Sequence, residues 1–375
     1  MKVPMVDLTR EYLELKKDID PAISNVLNKC NFILGDEVAK FEEEFARLNG
    51  SKYAVSVASG TDALRIAIMA SGIGPGDEVI TTPFTFIATT ETISQSGAKV
   101  VFADIEEDTY NIDPKSIEKK ITQKTKAIIP VHLYGHPANM EAIMEIAKKH
   151  NLIVIEDCAQ AFTAKYKINN QWKFVGSIGT CGTFSFFPAK NLGAYGDGGL
   201  ITTDDEKIAN IIKTLRNHGS SQRYIYEMEG FNSRLDTIQA AVLRVKLAKI
   251  LKFTELRNQV AKKYAKALKG SCVTPSVKEN CYHSFNYYTV KFDSKEARDR
   301  VSKHLNDNQI ANQIYYPIAL HLQKAYKHLG YKEGDLPVTE KIQNQVLSLP
   351  MFPQLKDEEI NYISEKIKEA VGVKR

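Results

Sequence analysis

Short apolar runs alternate with helical stretches between about residues 50 and 205, and this alternation limits the fold more than any other feature of the sequence. The runs predicted as strands begin at Tyr53, Glu78, Lys99, Ala127 and Leu152, and the predicted helices cover residues 60–70, 87–95, 114–121 and 139–150. This order predicts a mostly parallel sheet with helices on both faces. Ligands of such folds bind at the carboxyl ends of the strands. The residues that follow the strands are therefore the first candidates for a site.

The rest of the chain predicts a second, smaller unit. From Asp204 the pattern turns helical, and a long helical stretch near 234–268 leaves the first unit. Beyond Gly270 there is a strand pattern from Tyr287, a helix pattern over 295–308, and a helical tail from Lys356. The predicted fold class is α/β, with a large domain over residues 1–250 and a smaller C-terminal α/β domain over residues 251–375.

Composition excludes several classes of protein. With 43% hydrophobic and 25% charged residues, the 375-residue chain has the content of an ordinary soluble protein. Its 50 basic and 45 acidic residues are dispersed, so the net charge of +5 does not indicate nucleic-acid binding. The start of the chain lacks the apolar stretch of a secretory signal, and the apolar runs are too short to span a membrane. Five cysteines without a C-x-x-C pair favour reduced thiols in a cytoplasmic protein.

One lysine and one upstream aspartate predict the chemistry. Lys190 lies in a loop with Ser185 five positions before it and several glycines after it, and Asp157 closes an apolar strand. Pyridoxal phosphate (PLP) chemistry requires this combination of groups. The lysine amine forms a Schiff base with the cofactor aldehyde, and a buried carboxylate keeps the pyridine nitrogen protonated so that the ring can accept electrons. We therefore predict PLP as the cofactor and Lys190 as the catalytic residue.

Other residues complete the predicted cofactor site. Ser59, Gly60 and Thr61 close a strand and open a helix, where free N–H groups and the helix dipole would hold a phosphate. Taken alone, the same residues are an ordinary helix cap. Ser185 is a second phosphate donor, and Phe86 is our choice for the ring that stacks on the pyridine, with Phe84 in the core. Gln160 would bond the phenolic oxygen of the cofactor, unless it is only a capping or surface residue.

Rival motifs are absent or incomplete. The sequence contains no P-loop, H-E-x-x-H or G-x-S-x-G motif, and Gly72-Ile-Gly-Pro-Gly76 precedes a strand, so it indicates a turn. His132 and His136 are four residues apart at a strand end before a proline, where this spacing does not suit a metal. We predict no metal site, a structural or site-lining role for these histidines, and a buried structural role for Cys158.

Nine short stretches, spread over nearly the whole chain, carry a resemblance to a known family. They are Phe32-Ile-Leu-Gly, Ser59-Gly-Thr-Asp-Ala-Leu, Gly76-Asp-Glu-Val-Ile-Thr, Phe84-Thr-Phe-Ile-Ala-Thr, His132-Leu-Tyr-Gly, Glu156-Asp-Cys-Ala-Gln, the Lys190 run, Asn232-Ser-Arg-Leu-Asp and Ser348-Leu-Pro-Met. Together they resemble the DegT/DnrJ/EryC1/StrS family of nucleotide-sugar aminotransferases. The resemblance implies the fold of aspartate aminotransferase, PLP transferase fold type I.

The resemblance also implies partners and further site residues. It implies a homodimer with shared active sites, in which Asn232 reaches the cofactor phosphate of the neighbouring subunit and Arg234 accompanies it. Tyr316 and His321 match a segment near the sugar. The implied substrates are L-glutamate as amino donor and a nucleotide-linked keto sugar, with Lys190 moving the proton from the donor's α-carbon.

Finer sequence features bear on the subgroup. The Lys190 run resembles that of members that aminate C3, and amination at C4 is the alternative. Phe162-Thr163 replaces a His-Gly pair that many members carry, which puts one substrate contact in doubt. Sugar dehydratases of the family have histidine in place of the lysine, so Lys190 favours transamination. A PLP lyase or dehydratase and a PLP-binding regulator without catalysis stay open as alternatives. The strand–helix alternation alone would also fit a nicotinamide oxidoreductase, but no dinucleotide fingerprint supports one.

Overall fold

The structure, a computed structural model, describes residues 1–372 of the chain. In chain order its helices are α1 (Leu8–Lys29), α2 (Asp36–Asn49), α3 (Gly60–Ala70), α4 (Ala88–Gln95), α5 (Pro114–Lys120), α6 (Met140–His150), α7 (Glu206–Leu215), α8 (Thr237–Leu247), α9 (Ile250–Ala267), α10 (Lys295–Asp307), α11 (Pro337–Ile342) and α12 (Asp357–Val371). The strands are β1 (Tyr53–Val57), β2 (Glu78–Thr81), β3 (Lys99–Phe102), β4 (Thr125–Ile129), β5 (Ile153–Asp157), β6 (Lys165–Ile168), β7 (Gln171–Phe174), β8 (Cys181–Ser185), β9 (Gly199–Thr203), β10 (Ser220–Gln222), β11 (Ile225–Tyr226), β12 (Cys281–Tyr282), β13 (Tyr288–Lys291) and β14 (Val346–Leu349).

A seven-stranded sheet forms the centre of the molecule, in the order β1-β9-β8-β5-β4-β2-β3. The strands from β8 to β3 pair in parallel, and only β9 runs antiparallel to its neighbours β1 and β8. The prediction of a mostly parallel sheet is therefore confirmed. Because β1, β5 and β8 point the same way, the residues that follow them meet at one edge, where ligands bind in such folds.

The sheet is buried between helices because its strands are apolar on both faces. Val55, Ile155 and Ile201, from β1, β5 and β9, are fully buried in one large hydrophobic cluster with Ile66 of α3. Helix α3 begins at its predicted residue, where the Ser59 side chain accepts a hydrogen bond from the Asp62 backbone N–H at 3.1 Å. The local capping chemistry thus fixes where the chain turns from strand to helix at the site edge.

The C-terminal part of the chain forms a hydrophobic cluster of its own. Tyr264 of α9, Val290 of β13, Leu305 of α10 and Ile363 of α12 are buried in this cluster, which Val3 of the N-terminus also joins. Residues 320–336 instead return to the large cluster through Leu320, Tyr326 and Leu336. The boundary near residue 250 coincides with the start of α9 and stays a prediction.

One predicted element differs in the structure. The helical stretch near 234–268 is two helices, since the backbone N–H groups of Ala248 and Lys249 bond back to Lys246 and end α8 before α9 begins at Ile250. The two N-terminal helices, α1 and α2, lie in a region for which we made no prediction. Among residues 1–372, none of the helices combines the length and the apolarity that crossing a bilayer requires.

Candidate active site

A cavity of about 410 Å³ opens at the carboxyl edge of the sheet, a size common for small-molecule sites. It brings together nine of the predicted site residues, namely Ser59, Gly60, Thr61, Phe86, Asp157, Gln160, Ser185, Lys190 and Tyr316. The remaining three, Asn232, Arg234 and His321, do not line it. The structure therefore brings nine predicted residues to one cavity, and the roles of Asn232 and Arg234 in a neighbouring subunit stay predictions.

One end of the cavity is built from main chain. Ser59 caps α3 with its side chain, and the N–H groups of Gly60 and Thr61, at the first two helical positions, have no intrahelical acceptor. A Cβ atom on Gly60 would lie 2.5 Å from the Cβ of Ser185, and one on Gly199 would lie 2.2 Å from the carbonyl oxygen of Ser59. Glycine is required at both positions because the backbone of α3 approaches the ends of β8 and β9 so closely. These N–H groups and the Ser185 hydroxyl fit a phosphate dianion.

Asp157 supplies a buried carboxylate in the middle of the cavity. It ends β5 and is 4% exposed. Its Oδ2 accepts a hydrogen bond from Thr89 Oγ1 at 2.8 Å, and its Oδ1 accepts one from the Ala159 backbone N–H at 3.1 Å. Burial raises the pKa of this carboxyl, while the Thr89 hydrogen bond and the Lys190 charge oppose the rise. A cationic ring nitrogen in the cavity would stabilise the ionised form.

Lys190 lies in the loop after β8, held by a hydrogen bond from its backbone N–H to the Phe187 carbonyl at 2.8 Å. Within residues 1–372, its amine has no hydrogen-bond partner. Burial lowers the pKa of Lys190 to about 8, and the charge of Asp157 limits the decrease. A lysine with this pKa is partly neutral near pH 8, which suits it to be a nucleophile or a proton carrier.

The walls of the cavity carry aromatic rings and an oriented amide. Phe86 is 58% exposed, so one face of its ring is free for stacking, whereas Phe84 is fully buried in the core. Gln160 lies in a turn after β5, where its Oε1 accepts the Tyr134 backbone N–H at 2.8 Å and its Nε2 donates to the Tyr316 hydroxyl at 3.0 Å. Because the amide oxygen is occupied by the backbone, Gln160 presents N–H donors to the cavity, as a phenolic oxygen requires.

The three predicted residues outside the cavity have different surroundings. Asn232 is exposed and pairs with Asn217 through a backbone bridge. Arg234 donates to the side chain of the same Asn217 at 3.4 Å. His321 is 1% exposed and lies 3.0 Å from Glu340, so the structure does not bring it to the sugar side of the cavity. The chain turns back into the core before His321, because the Leu320 backbone N–H bonds to the Pro83 carbonyl.

The Phe162-Thr163 pair has no access to the cavity either. The Phe162 ring stacks on Phe45 with centroids 4.6 Å apart in a buried cluster, and Thr163 bonds to Thr254 at 2.7 Å. The side chains at these two positions pack in the core of this chain and do not line the cavity.

A second buried group of ligating atoms lies beside the cavity, at His132, Glu156 and Cys158. Glu156 already accepts hydrogen bonds from the backbone N–H groups of Gly176, Ile178 and Gly179, and from His132 Nε2 at 3.0 Å. The other ring nitrogen of His132 accepts the Ala138 N–H at 2.9 Å. A metal ion would have to displace these partners. The group therefore anchors the 176–179 loop and the start of α6 to the end of β5.

Several lining residues were not predicted: Thr85, Thr89, Asp197, Tyr287 and Tyr315. Thr85 and Thr89 flank Phe86, and their spacing of four residues was the one local signal that could have marked them. The two tyrosines come from the C-terminal part of the chain and carry no local signal.

These residues fit PLP. A lysine amine, a buried carboxylate, N–H groups at a helix start and an exposed aromatic face line one cavity of matching size. On this fold, such a site is that of a PLP-dependent enzyme of fold type I.

Comparison with known proteins identifies the family. The profile of the DegT/DnrJ/EryC1/StrS aminotransferase family matches residues 13–368, and the chain belongs to this family. It is 48% identical to a "pleiotropic regulatory protein" of Geobacillus stearothermophilus, covering 98% of each chain. It is 45% identical to the UDP-N-acetyl-3-dehydro-alpha-D-glucosamine 3-aminotransferase of Acidithiobacillus ferrooxidans, covering 98% of this chain and 97% of that protein.

Solved structures agree with this assignment. DesV of S. venezuelae, in complex with a ketimine intermediate, has a TM-score of 0.95 at 40% identity and covers 100% of both chains. NtdA from Bacillus subtilis, with bound cofactor PMP, has a TM-score of 0.90 at 32% identity and covers 99% of this chain and 85% of that chain. The protein is thus a PLP-dependent aminotransferase, as the sequence predicted.

Proposed function

We propose that this aminotransferase moves the amino group of L-glutamate to the C3 keto group of a nucleotide-linked sugar. The observation that carries the proposal is the cavity with Lys190 and Asp157, in a chain 45% identical, over 98% of its length, to an enzyme named as a 3-aminotransferase of a UDP-linked sugar. The amino donor and the C3 position rest on resemblance, and the nucleotide is left open.

Each residue at the cofactor end has a proposed role. Ser59, Gly60, Thr61 and Ser185 hold the phosphate through N–H and hydroxyl groups. PLP, when bound, supplies a ring that accepts the electrons released at the reacting carbon. Asp157 pairs with the ring nitrogen, and Phe86 keeps the ring in plane. Gln160 donates to the phenolic oxygen, with an amide that the Tyr134 N–H holds in one orientation.

Lys190 is the proposed covalent anchor and proton carrier. Its amine, once free, takes the proton from the α-carbon of the donor and returns it when the sugar is aminated. The lowered pKa makes both states of the amine accessible near neutral pH. Tyr287, Tyr315 and Tyr316 also line the cavity, and we place the sugar beside them. Tyr316 accepts the Gln160 bond and so keeps its own hydroxyl proton free to donate.

A cytoplasmic homodimer with shared sites is also part of the proposal. Lys190 is the only basic side chain among the described residues that line the cavity, which also carries Asp157 and Asp197. A phosphate, a nucleotide and glutamate are all anionic, so further cations or amides from outside the chain would stabilise them. Exposed Asn232 is available for this role. The exposed hairpin of β10 and β11 offers an apolar surface for contact, with Tyr224 74% and Tyr226 62% exposed.

The test of the function is a product assay with matched keto sugars. The protein is incubated with PLP, L-glutamate and either a 3-keto or a 4-keto sugar linked to UDP or dTDP, and the product is located by NMR. We expect an amine at C3 and 2-oxoglutarate in equal amounts, and no amine when glutamate is omitted. Amination at C4 would replace the C3 proposal, and loss of a hydroxyl without amination would identify a dehydratase.

The shared site can be tested by complementation. Lys190→Ala and Asn232→Asp chains, carrying different tags, are co-expressed and the mixed oligomer is isolated. If Asn232 acts in the neighbouring site, both defects fall in one site of the mixed dimer and the other site is intact, so activity returns to about half of the wild-type dimer. A mixed dimer that is as inactive as the two parent variants would contradict a site shared through Asn232.

A second candidate function is a regulatory protein that binds PLP without catalysis, favoured by the name of the relative from Geobacillus stearothermophilus. Absorbance spectra with and without L-glutamate separate the two candidates. A cofactor band that shifts on addition of glutamate supports the aminotransferase. A band that stays unchanged with every amino donor supports the regulator.

A further inference from the structure

We propose that Thr89, supported by Thr85, is a positioning residue that orients the Asp157 carboxylate and favours its ionised form. The inference rests on the proposed placement of PLP in the cavity. It assigns a function to the two threonines of the Phe84-Thr-Phe-Ile-Ala-Thr stretch, to which the sequence analysis gave no role.

The hydrogen-bond directions form a chain that ends on the carboxylate. Thr89 Oγ1 donates to Asp157 Oδ2 at 2.8 Å and lies 3.0 Å from Thr85 Oγ1. A hydroxyl has one proton to donate, and Thr89 already donates its proton in the hydrogen bond to the Asp157 carboxylate. Thr85 must therefore be the donor to Thr89. Because both oxygens of Asp157 accept hydrogen bonds, the order Thr85 to Thr89 to Asp157 favours the ionised carboxylate.

Burial makes this support necessary. Thr85, Thr89 and Asp157 are 2%, 1% and 4% exposed, so water cannot replace a lost donor easily. Apart from Thr89, only the Ala159 N–H bonds the carboxylate from within the described chain. The charged or titratable groups that face Asp157 are Lys190, His132, Cys158 and Tyr316. Removal of the Thr89 hydroxyl would leave a more basic carboxylate, which takes the proton from its partner.

The position of the two threonines couples two features of the cofactor site. They flank Phe86 on the segment that leads into α4, and the Thr89 N–H bonds to the Phe86 carbonyl at 3.2 Å. One short segment thus carries both the aromatic face and the donor to the carboxylate. The plane of a bound ring and the direction of its nitrogen are set by the same piece of backbone.

The experiment compares Thr89→Val with Thr89→Ser and Thr92→Val. Valine matches threonine in shape and removes only the hydroxyl, whereas serine keeps the hydroxyl. Thr92 is buried on the same helix, but its hydroxyl bonds only to the carbonyls of Ala88 and Thr89, so Thr92→Val controls for loss of a buried hydroxyl there. Two quantities are measured: PLP affinity of the apoprotein, by absorbance titration, and protonation of the ring nitrogen, by NMR with nitrogen-15 in the ring.

We expect Thr89→Val to bind PLP at least about ten-fold more weakly, because hydrogen bonds to charged groups are the stronger ones. We also expect its nitrogen-15 signal to move toward the unprotonated position. Thr85→Val should change both quantities in the same direction by less, and Thr89→Ser and Thr92→Val should stay within about three-fold of wild type. A merely structural role of Thr89 would not produce this graded order of effects.

The outcomes separate this inference from the proposed function. Wild-type affinity and an unchanged nitrogen signal in Thr89→Val would overturn the inference and leave the function standing. If Thr89→Val does not fold, Thr85→Val decides, and an unchanged nitrogen signal in that variant overturns it. Failure of the wild-type protein to bind PLP at all would overturn both.

Discussion

Two acid–base pairs lie next to each other at the end of β5, and they differ in how much of their hydrogen-bonding capacity is unused. In the first pair, Glu156 and His132 have all their strong acceptors and donors occupied, chiefly by backbone N–H groups. In the second, Asp157 has one side-chain donor and one backbone donor, and Lys190 has no hydrogen-bond partner among the described residues. Successive residues of a strand point to opposite faces, so adjacent carboxylates enter different environments.

The difference teaches that burial of a charge does not by itself mark a catalytic group. Glu156 is the more deeply buried carboxylate of the two, yet its bonds hold a loop in place. Asp157 keeps lone pairs directed at a cavity and faces an amine with a shifted pKa. Unused bonding capacity beside a cavity, rather than burial, indicates the site of chemistry.

The sharpest test of the comparison is removal of the free amine. Lys190→Ala should reduce turnover by at least about 10³-fold, since a general base alone contributes up to about 10⁴-fold. The stability of the apoprotein should not decrease, because the amine that is removed has no hydrogen-bond partner within residues 1–372. Steady-state kinetics and urea unfolding measure the two effects. Retained turnover would remove Lys190 from the mechanism.

The second test concerns Asp157, the carboxylate that lines the cavity. Asp157→Asn should slow the single-turnover reaction with L-glutamate by about 10²-fold, because an amide cannot neutralise a protonated ring nitrogen. The apoprotein should unfold at the same or a higher urea concentration, since burial disfavours the charge of Asp157. Stopped-flow absorbance gives the rate. An unchanged rate would show that the two carboxylates do not differ in function.

Glu156→Gln also replaces a carboxylate by an amide, but in the pair of Glu156 and His132. Here we expect a loss of stability and no loss of PLP binding. The amide would turn an N–H group toward backbone donors, which leaves buried groups unsatisfied and costs about 2–4 kcal/mol of unfolding free energy. The folded fraction should still bind PLP. Urea unfolding of both variants provides the comparison, with Asp157→Asn as the matched control. Equal stability of Glu156→Gln and wild type would contradict the anchoring role.

The smallest effect concerns pH. Since burial lowers the pKa of Lys190 to about 8, its amine loses the proton at a lower pH than an exposed lysine does. The rate of PLP uptake by the apoprotein should therefore rise about ten-fold between pH 7 and pH 9 and then level off. The rate of the same reaction with lysine acetylated at its α-amine, measured in parallel, corrects for titration of PLP itself. This rate should continue to rise above pH 9. If the rate for the protein depends on pH in the same way as the rate for the free lysine, the pKa of Lys190 is not lowered.

The local parts of the structure could be predicted from sequence. β1, α3, β2 and β3 have the predicted bounds because apolar alternation and the Ser59 cap act over a few residues. Lys190, Asp157 and Ser185 come together because each follows a parallel strand, which topology alone ensures. In α1, by contrast, Pro21 lies inside the helix, where a proline usually indicates a break.

Contacts between distant segments could not be predicted. Thr89 donates to a residue 68 positions away, and its four-residue spacing from Thr85 does not predict that partner. His321 was assigned to the sugar by resemblance, but it packs on Phe102 and bonds to Glu340. These contacts depend on tertiary packing, which the local sequence does not reveal. Asn232 and Arg234 were expected to act in a neighbouring subunit, so a single chain places them outside the cavity in either case.

The main-chain construction of the phosphate end has a consequence for how this protein can change over evolution. Glycines at residues 60 and 199 leave no room for a side chain, so substitution there would remove cofactor binding rather than adjust it. The cavity is also lined by tyrosine side chains from residues 287, 315 and 316, which belong to two segments of the C-terminal third of the chain. Mutations in these two segments can therefore change which sugar is accepted while the phosphate end is kept. Exchange of C-terminal segments between relatives should transfer substrate preference.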